Sequence, residues 1–169
     1  MSNPVPGTDA WYLSEAYSYA ASHSGDQSTQ LGALLIDPDD GEILVAAAND
    51  IPPELEDTPD RRQRPLKYEY TGHAERRVLY AAARKGIKTE GLFMYVTWYA
   101  CAPCARAIID TGIRRVIGHH LPQHDHEVWN DQVKIGRSML TEAGIEHDSL
   151  ELDLGGTNEV LIQGQVVVV

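Results

Sequence analysis

Cysteine is scarce. The 169 residues hold two, Cys101 and Cys104, so a closed structural zinc site, which needs four ligands, would have to recruit two of the seven histidines. Also missing are an apolar run of membrane-spanning length and an N-terminal stretch joining basic residues to an apolar segment. Neither a membrane anchor nor secretion is indicated, and a cytoplasmic location with reduced thiols is expected. Positive charge is in deficit: a formal net charge of −11 repels polyanions at long range and weighs against sequence-independent binding of nucleic acid. The sequence has no internal repeat, interdomain linker or low-complexity tract. A hydrophobic content of 43% then suits one domain over residues 1–169 with a real core.

The pattern of what is present predicts an α/β fold. "TDAWYLSEAYSYAASHS" spaces Trp11, Leu13, Ala16, Tyr17 and Ala20 as one helical face behind a Thr or Asp cap. "TQLGALLID" and "GEILVAAAN" read as an antiparallel hairpin around "PDDG", with Gly41 supplying a positive φ. Residues 50–70 are rich in Pro, Asp and Arg without periodicity, and so long a loop is expected over an active site. "GHAERRVLYAAARKG" is a helix stopped by Gly86, "GLFMYVTWY" a buried strand, and "CAPCARAIIDTG" a helix stopped by Gly112. "RRVIGHH" is a short strand, "HEVWNDQVKIGRSMLTEAG" the last helix, and "DSLELDL" and "VLIQGQVVVV" are strands around "GGTN". The alternation predicts a three-layer α/β/α sandwich around a mixed sheet of about five strands. The closing apolar strand, placed on a sheet edge, predicts burial in a homo-oligomer.

"YACAPCA" puts the two cysteines at a helix start, where unpaired N–H groups and the helix dipole favour thiolate. His73 opens the previous helix. If neighbouring parallel strands feed the two helices, His73, Cys101 and Cys104 converge on one ion and leave a fourth position open, the pattern of a catalytic metal site. Glu75, two residues on in "HAE", is then placed as a proton carrier for a water activated by the metal.

"HAE" followed after a helix and a strand by "CAPC" resembles the zinc-dependent cytidine and deoxycytidylate deaminase superfamily, whose signature is H-x-E with a later P-C-x-x-C. "NDIPP" and "SMLTEAGI" extend the likeness over most of the chain, which looks most like the deoxycytidylate (dCMP) deaminases. The resemblance implies a zinc cofactor held by His73, Cys101 and Cys104, with Glu75 as the catalytic proton shuttle. It also implies a sugar contact from Asn49, and the base edge held by the backbone around Ala74 and Tyr99. The reaction implied is hydrolysis of dCMP to dUMP and ammonia. Two positions depart from the family pattern: Ala100 stands where proline precedes the first cysteine, and "NDIPP" lacks the glycine after the asparagine.

The surroundings bear on the substrate. Arg61, Arg62, Arg64 and Lys67 cluster just before "HAE", with Arg76 and Arg77 beyond it on the helix; in so acidic a chain the cluster reads either as a solvated basic face or as a site for a 5′-phosphate, which the four loop residues are placed to reach. Trp98 and Tyr99 are placed either to stack on a base or to pack in the core. His119, His120, His124 and His126 are read as a polar loop at the pocket rim, a second metal site being the sharper alternative. Among rival functions, a thioredoxin-like dithiol leaves "HAE" unexplained, and a deaminase of bases within RNA or DNA needs a basic track this chain lacks. A non-catalytic zinc module leaves the glutamate idle. Deamination of a 5-substituted cytosine or of a purine remains the nearest alternative, and the expected partner is a small-molecule nucleotide.

Overall fold

The computed structural model describes residues 3–125 and 127–169. Helix α1 (Asp9–His23) starts where the Thr8 hydroxyl accepts the Trp11 N–H at 3.3 Å, and it buries Tyr12, Leu13, Ala16, Tyr17 and Ala20. Strands β1 (Gly32–Ile36) and β2 (Ile43–Ala48) form the expected hairpin, with Gly41 at φ 78° in its turn. The chain then runs through a 3-10 turn at Pro59–Arg62 and the short helix α2 (Lys67–Tyr70) to α3 (Ala74–Lys85), which Gly86 ends in a left-handed conformation. Strand β3 (Phe93–Val96), helix α4 (Ala102–Asp110), strand β4 (Arg115–His119), helix α5 (Glu127–Glu142) and strand β5 (Glu146–Leu150) follow.

The central sheet has five strands in the order β2-β1-β3-β4-β5. β1 is antiparallel to both neighbours, while β3, β4 and β5 are parallel, so the sheet is mixed. Alternate residues of β1 divide the core. Ala33 and Leu35 join α3, α4 and Leu140 of α5 on one face, while Leu34 and Ile36 pack against α1 on the other. This is the three-layer α/β/α sandwich the sequence predicts.

Several details differ from the sequence reading. "VLIQGQVVVV" is a hairpin rather than one strand: β6 (Glu159–Ile162) and β7 (Gln165–Val168) pair with each other, apart from the central sheet. Its two-residue turn, Gln163 at φ 53° and Gly164 at φ 79°, has the two positive φ values of a type I′ turn. The hairpin buries Val160, Ile162, Val167 and Val169 in the core that α1 also covers, and leaves Val166 and Val168 exposed. β5 begins at Glu146, earlier than predicted, because residues 146–150 pair in parallel with residues 115–119 of β4. The loop over 50–70 is pinned by reciprocal backbone hydrogen bonds between Asp50 and Gly72.

Two of the described histidines in this stretch are buried rather than part of a polar loop. His119 is buried, with Nδ1 3.0 Å from the Tyr17 hydroxyl and Nε2 3.1 Å from the Leu152 carbonyl. His124 is buried too and stacks on Trp98, the ring centroids 4.7 Å apart. His120 reaches Glu151 at 3.8 Å, and His126 lies outside the described residues.

Candidate metal centre

β2 and β3 run in the same direction with β1 between them, so the expected feeding of α3 and α4 by adjacent parallel strands is replaced by strands one place apart. Their carboxyl ends still open on one side of the sheet. His73 is the N-cap of α3, Cys101 the N-cap of α4, and Cys104 lies in the first turn of α4 with Pro103 before it. Both caps have extended backbones, which turn the side chains back towards the gap between the two helix starts.

The three donor atoms form a compact triangle. His73 Nδ1 is 3.5 Å from Cys101 Sγ and 3.6 Å from Cys104 Sγ, and the sulfurs are 3.5 Å apart. Bonds of about 2.0–2.3 Å to a tetrahedral zinc ion separate such ligands by roughly 3.5–3.8 Å. The donor set therefore fits zinc in chemistry and in spacing. The contact between the two sulfurs, with the help of His73, lowers the Cys101 thiol against its burial, while the same contact and burial push Cys104 up. A metal held here would require both sulfurs as thiolates.

Glu75 is buried in the first turn of α3 with 5% of its surface exposed, and it lines the same pocket as His73 and Cys101. Burial drives its carboxyl above the ordinary range, opposed by the charge of His73. Ala74, buried between the two, belongs to the core.

The pocket is open to solvent, and its empty space with the open mouth included is about 790 Å³. Trp98 and Trp129 are in its wall; Trp129, on α5, stands edge-on to His73 with centroids 5.6 Å apart and also meets Tyr68. Tyr99 also lines the pocket, with its hydroxyl paired to His147 Nδ1 and its ring covered by the Arg137 guanidinium at 4.1 Å.

The basic cluster separates into different roles. Arg62 is clamped between Asp50 at 2.6 Å and Asp57 at 2.6 Å, and Arg61 lies over the Tyr70 ring and donates to the Glu56 carbonyl. Lys67 is buried in the pocket wall and bound to Asp26 and Ser28. Arg77 donates to the Asp50 carbonyl at 3.0 Å. Arg64 lines the pocket, is exposed, and has no ion pair among the described residues.

Asn49 also lines the pocket, but the fold uses its amide completely. Oδ1 accepts from the Leu31 N–H and the Ser24 hydroxyl, each at 2.7 Å; Nδ2 donates to the Thr29 carbonyl at 2.8 Å and faces Asp26 Oδ2 at 3.4 Å. The sequence reading missed Asp26, Tyr68, Trp129 and Gln163, all in the lining. Trp129 and Val133, four apart on α5, are the one pair whose helical spacing could have signalled a shared face.

The family model described as "Cytidine and deoxycytidylate deaminase zinc-binding region" matches residues 6–120. An uncharacterized deaminase in the luxG 3′ region of Aliivibrio fischeri is 32% identical over 133 residues, 79% of this chain and 87% of that protein. The deoxycytidylate deaminase of Homo sapiens is 30% identical over 132 residues, 75% of this chain and 70% of that one. The crystal structure of dCMP deaminase from the cyanophage S-TIM5, in complex with dCMP and dUMP, shares the fold with a TM-score of 0.68 over 88% of this chain and 100% of that one, at 19% identity.

Proposed function

The chain belongs to the cytidine and deoxycytidylate deaminase family, and we propose that within it the protein hydrolyses dCMP to dUMP and ammonia. The observation that carries this reading is the buried Glu75 lining one pocket with His73 and Cys101, whose donor atoms cluster with that of Cys104. A zinc ion held by those three would supply the Lewis acid that makes water a nucleophile near neutral pH. The chain's own residues do the rest. Glu75 takes the proton of the attacking water and delivers it to N3 of the cytosine as oxygen adds at C4. It then takes the remaining proton from the new C4 hydroxyl and passes it to the exocyclic amine, which leaves as ammonia while the C4 carbonyl forms.

Trp98 and Trp129 supply apolar walls for a flat base, and the burial of Glu75 excludes bulk water from the proton path. A monophosphate is supported by Arg64, which opens on the pocket without a competing carboxylate, unlike Arg62. The net charge of −11 favours a free nucleotide over a polynucleotide. Assembly into a homo-oligomer and a cytoplasmic location remain part of the proposal; no described helix is long and apolar enough to cross a membrane.

Incubating zinc-loaded protein with cytosine and purine nucleosides, their mono- and triphosphates and single-stranded oligonucleotides tests this reading. Ammonia release and an amine-to-carbonyl mass change should be greatest with dCMP. Turnover confined to a purine or to an oligonucleotide would replace the substrate.

A further inference from the structure

Two glycines seat the segment that carries Cys101. Gly118 lies within β4 and Gly136 within α5, and both are buried. A methyl group on Gly136 would run into the Ala100 carbonyl oxygen and stand 3.2 Å from the Cys101 carbonyl carbon. One on Gly118 would stand 2.8 Å from Cδ2 of the Tyr99 ring. Both carbon–carbon distances fall inside the roughly 3.5–4.0 Å of an unstrained contact. Residues 99–101 thus lie against two surfaces that come this close only because each lacks a Cβ.

Helix α5 touches the site along one face, on which Trp129, Val133, Gly136, Arg137 and Leu140 recur at helical spacing. Trp129 meets the His73 ring, Val133 lines the pocket, Arg137 covers the Tyr99 ring, and Leu140 enters the core cluster that holds Cys101 and Cys104. Thr141 reaches His147 Nε2 at 2.9 Å, and the other ring nitrogen of His147 pairs with the Tyr99 hydroxyl. The Cys101 carbonyl accepts the Ala105 N–H at 2.8 Å and so opens α4, whose first turn bears Cys104. A shift forced on that carbonyl reaches both sulfurs. A proline before the first cysteine would fix φ there through its ring. Ala100 has no such restraint and is fully buried, so the turn is held from outside.

We propose that Gly136 is a positioning residue for the metal centre: the close approach it allows lets α5 hold the Ala100–Cys101 backbone where the family signature uses proline, while Gly118 seats Tyr99 from the sheet. The assignment rests on the zinc reading of His73, Cys101 and Cys104 above. It gives α5, which supplies none of the three donors, control over the placement of two.

The test measures Zn²⁺ and Co²⁺ binding to the metal-free full chain, by competition with a chromophoric chelator for zinc and by the thiolate charge-transfer and ligand-field absorption of bound cobalt. Gly136→Ala adds one carbon. Were there room for it, alanine would favour the helix and raise the melting temperature with no change in metal binding. The seat predicts instead a zinc affinity lower by about ten- to a hundredfold, the range seen when the supporting partners of metal ligands are altered, together with a changed cobalt spectrum. Gly144→Ala is the control. At φ 71° it strains the turn that ends α5 with open space around the added carbon, so it should melt lower yet match wild type in affinity and spectrum. Wild-type affinity and spectrum in Gly136→Ala, or an equal loss in Gly144→Ala, overturns the assignment and leaves the zinc site standing. Should Gly136→Ala not fold, Gly118→Ala is read by the same two measurements: weakened zinc binding supports the seat, and unchanged binding overturns it. Wild type that binds neither ion defeats the zinc reading itself, and the seat with it.

Discussion

Lys67 Nζ stands 2.8 Å from each carboxylate oxygen of Asp26, and the two residues are 9% and 6% exposed. This ion pair joins the end of the long 50–70 loop to the segment before β1, and both partners line the pocket. Lysine in such a place would answer a phosphate poorly, because the carboxylate and the Ser28 hydroxyl already hold it.

Removing Lys67 therefore acts on the fold first. Lys67→Ala leaves a buried carboxylate without its counter-ion and should destabilise the protein by about 3 kcal/mol at neutral pH. Burial raises the Asp26 carboxyl, but hydrogen bonds from Lys67 and from the Ser28 and Thr29 N–H groups outweigh it and hold the pKa below its ordinary value. A carboxyl depressed in the folded state stabilises above its unfolded pKa, and the contribution is lost as pH falls through the folded one. The stability gap between wild type and variant should thus be full at pH 7 and narrow below about pH 4. Thermal melts across that range check it; a gap independent of pH would contradict the role given to the pair.

Arg64 is the phosphate contact in this account. Its loss should reduce kcat/KM for dCMP about tenfold, equivalent to about 1.4 kcal/mol, and leave the weaker turnover of deoxycytidine unchanged. Arg62→Ala should behave differently, loosening the loop through Asp50 and Asp57 and lowering both activities together. Steady-state kinetics on the two substrates distinguish the cases, and equal effects of Arg64→Ala on both would remove the contact.

Zinc should be present at about one ion per chain. Cys104→Ala deletes one corner of the donor triangle, and metal analysis after dialysis should show zinc largely lost. Full retention would overturn the ligand assignment.

The sequence made some of this legible and hid the rest for identifiable reasons. Helix limits were readable because Thr8 caps α1 and Gly86 ends α3 by local chemistry. "HAE" and "CAPC" carried the metal donors because each motif sits within one helix turn. The C-terminal turn was hidden because a glutamine occupies a positive-φ position usually signalled by Asn, Asp or Gly. The full engagement of Asn49 depends on Ser24, Asp26, Thr29 and Leu31, which a separate segment brings to it. Burial of His119 and His124 depends on Tyr17 and Trp98, far away in the chain, so their local setting looked like a polar loop.

The central claim is that Glu75 moves the protons of a hydrolytic deamination. Ammonia release from dCMP, measured side by side for zinc-loaded wild type and Glu75→Ala with equal zinc content, tests it most directly. The account predicts turnover by wild type and a loss of at least about a hundredfold in kcat for the variant. Near-normal release by Glu75→Ala would contradict it.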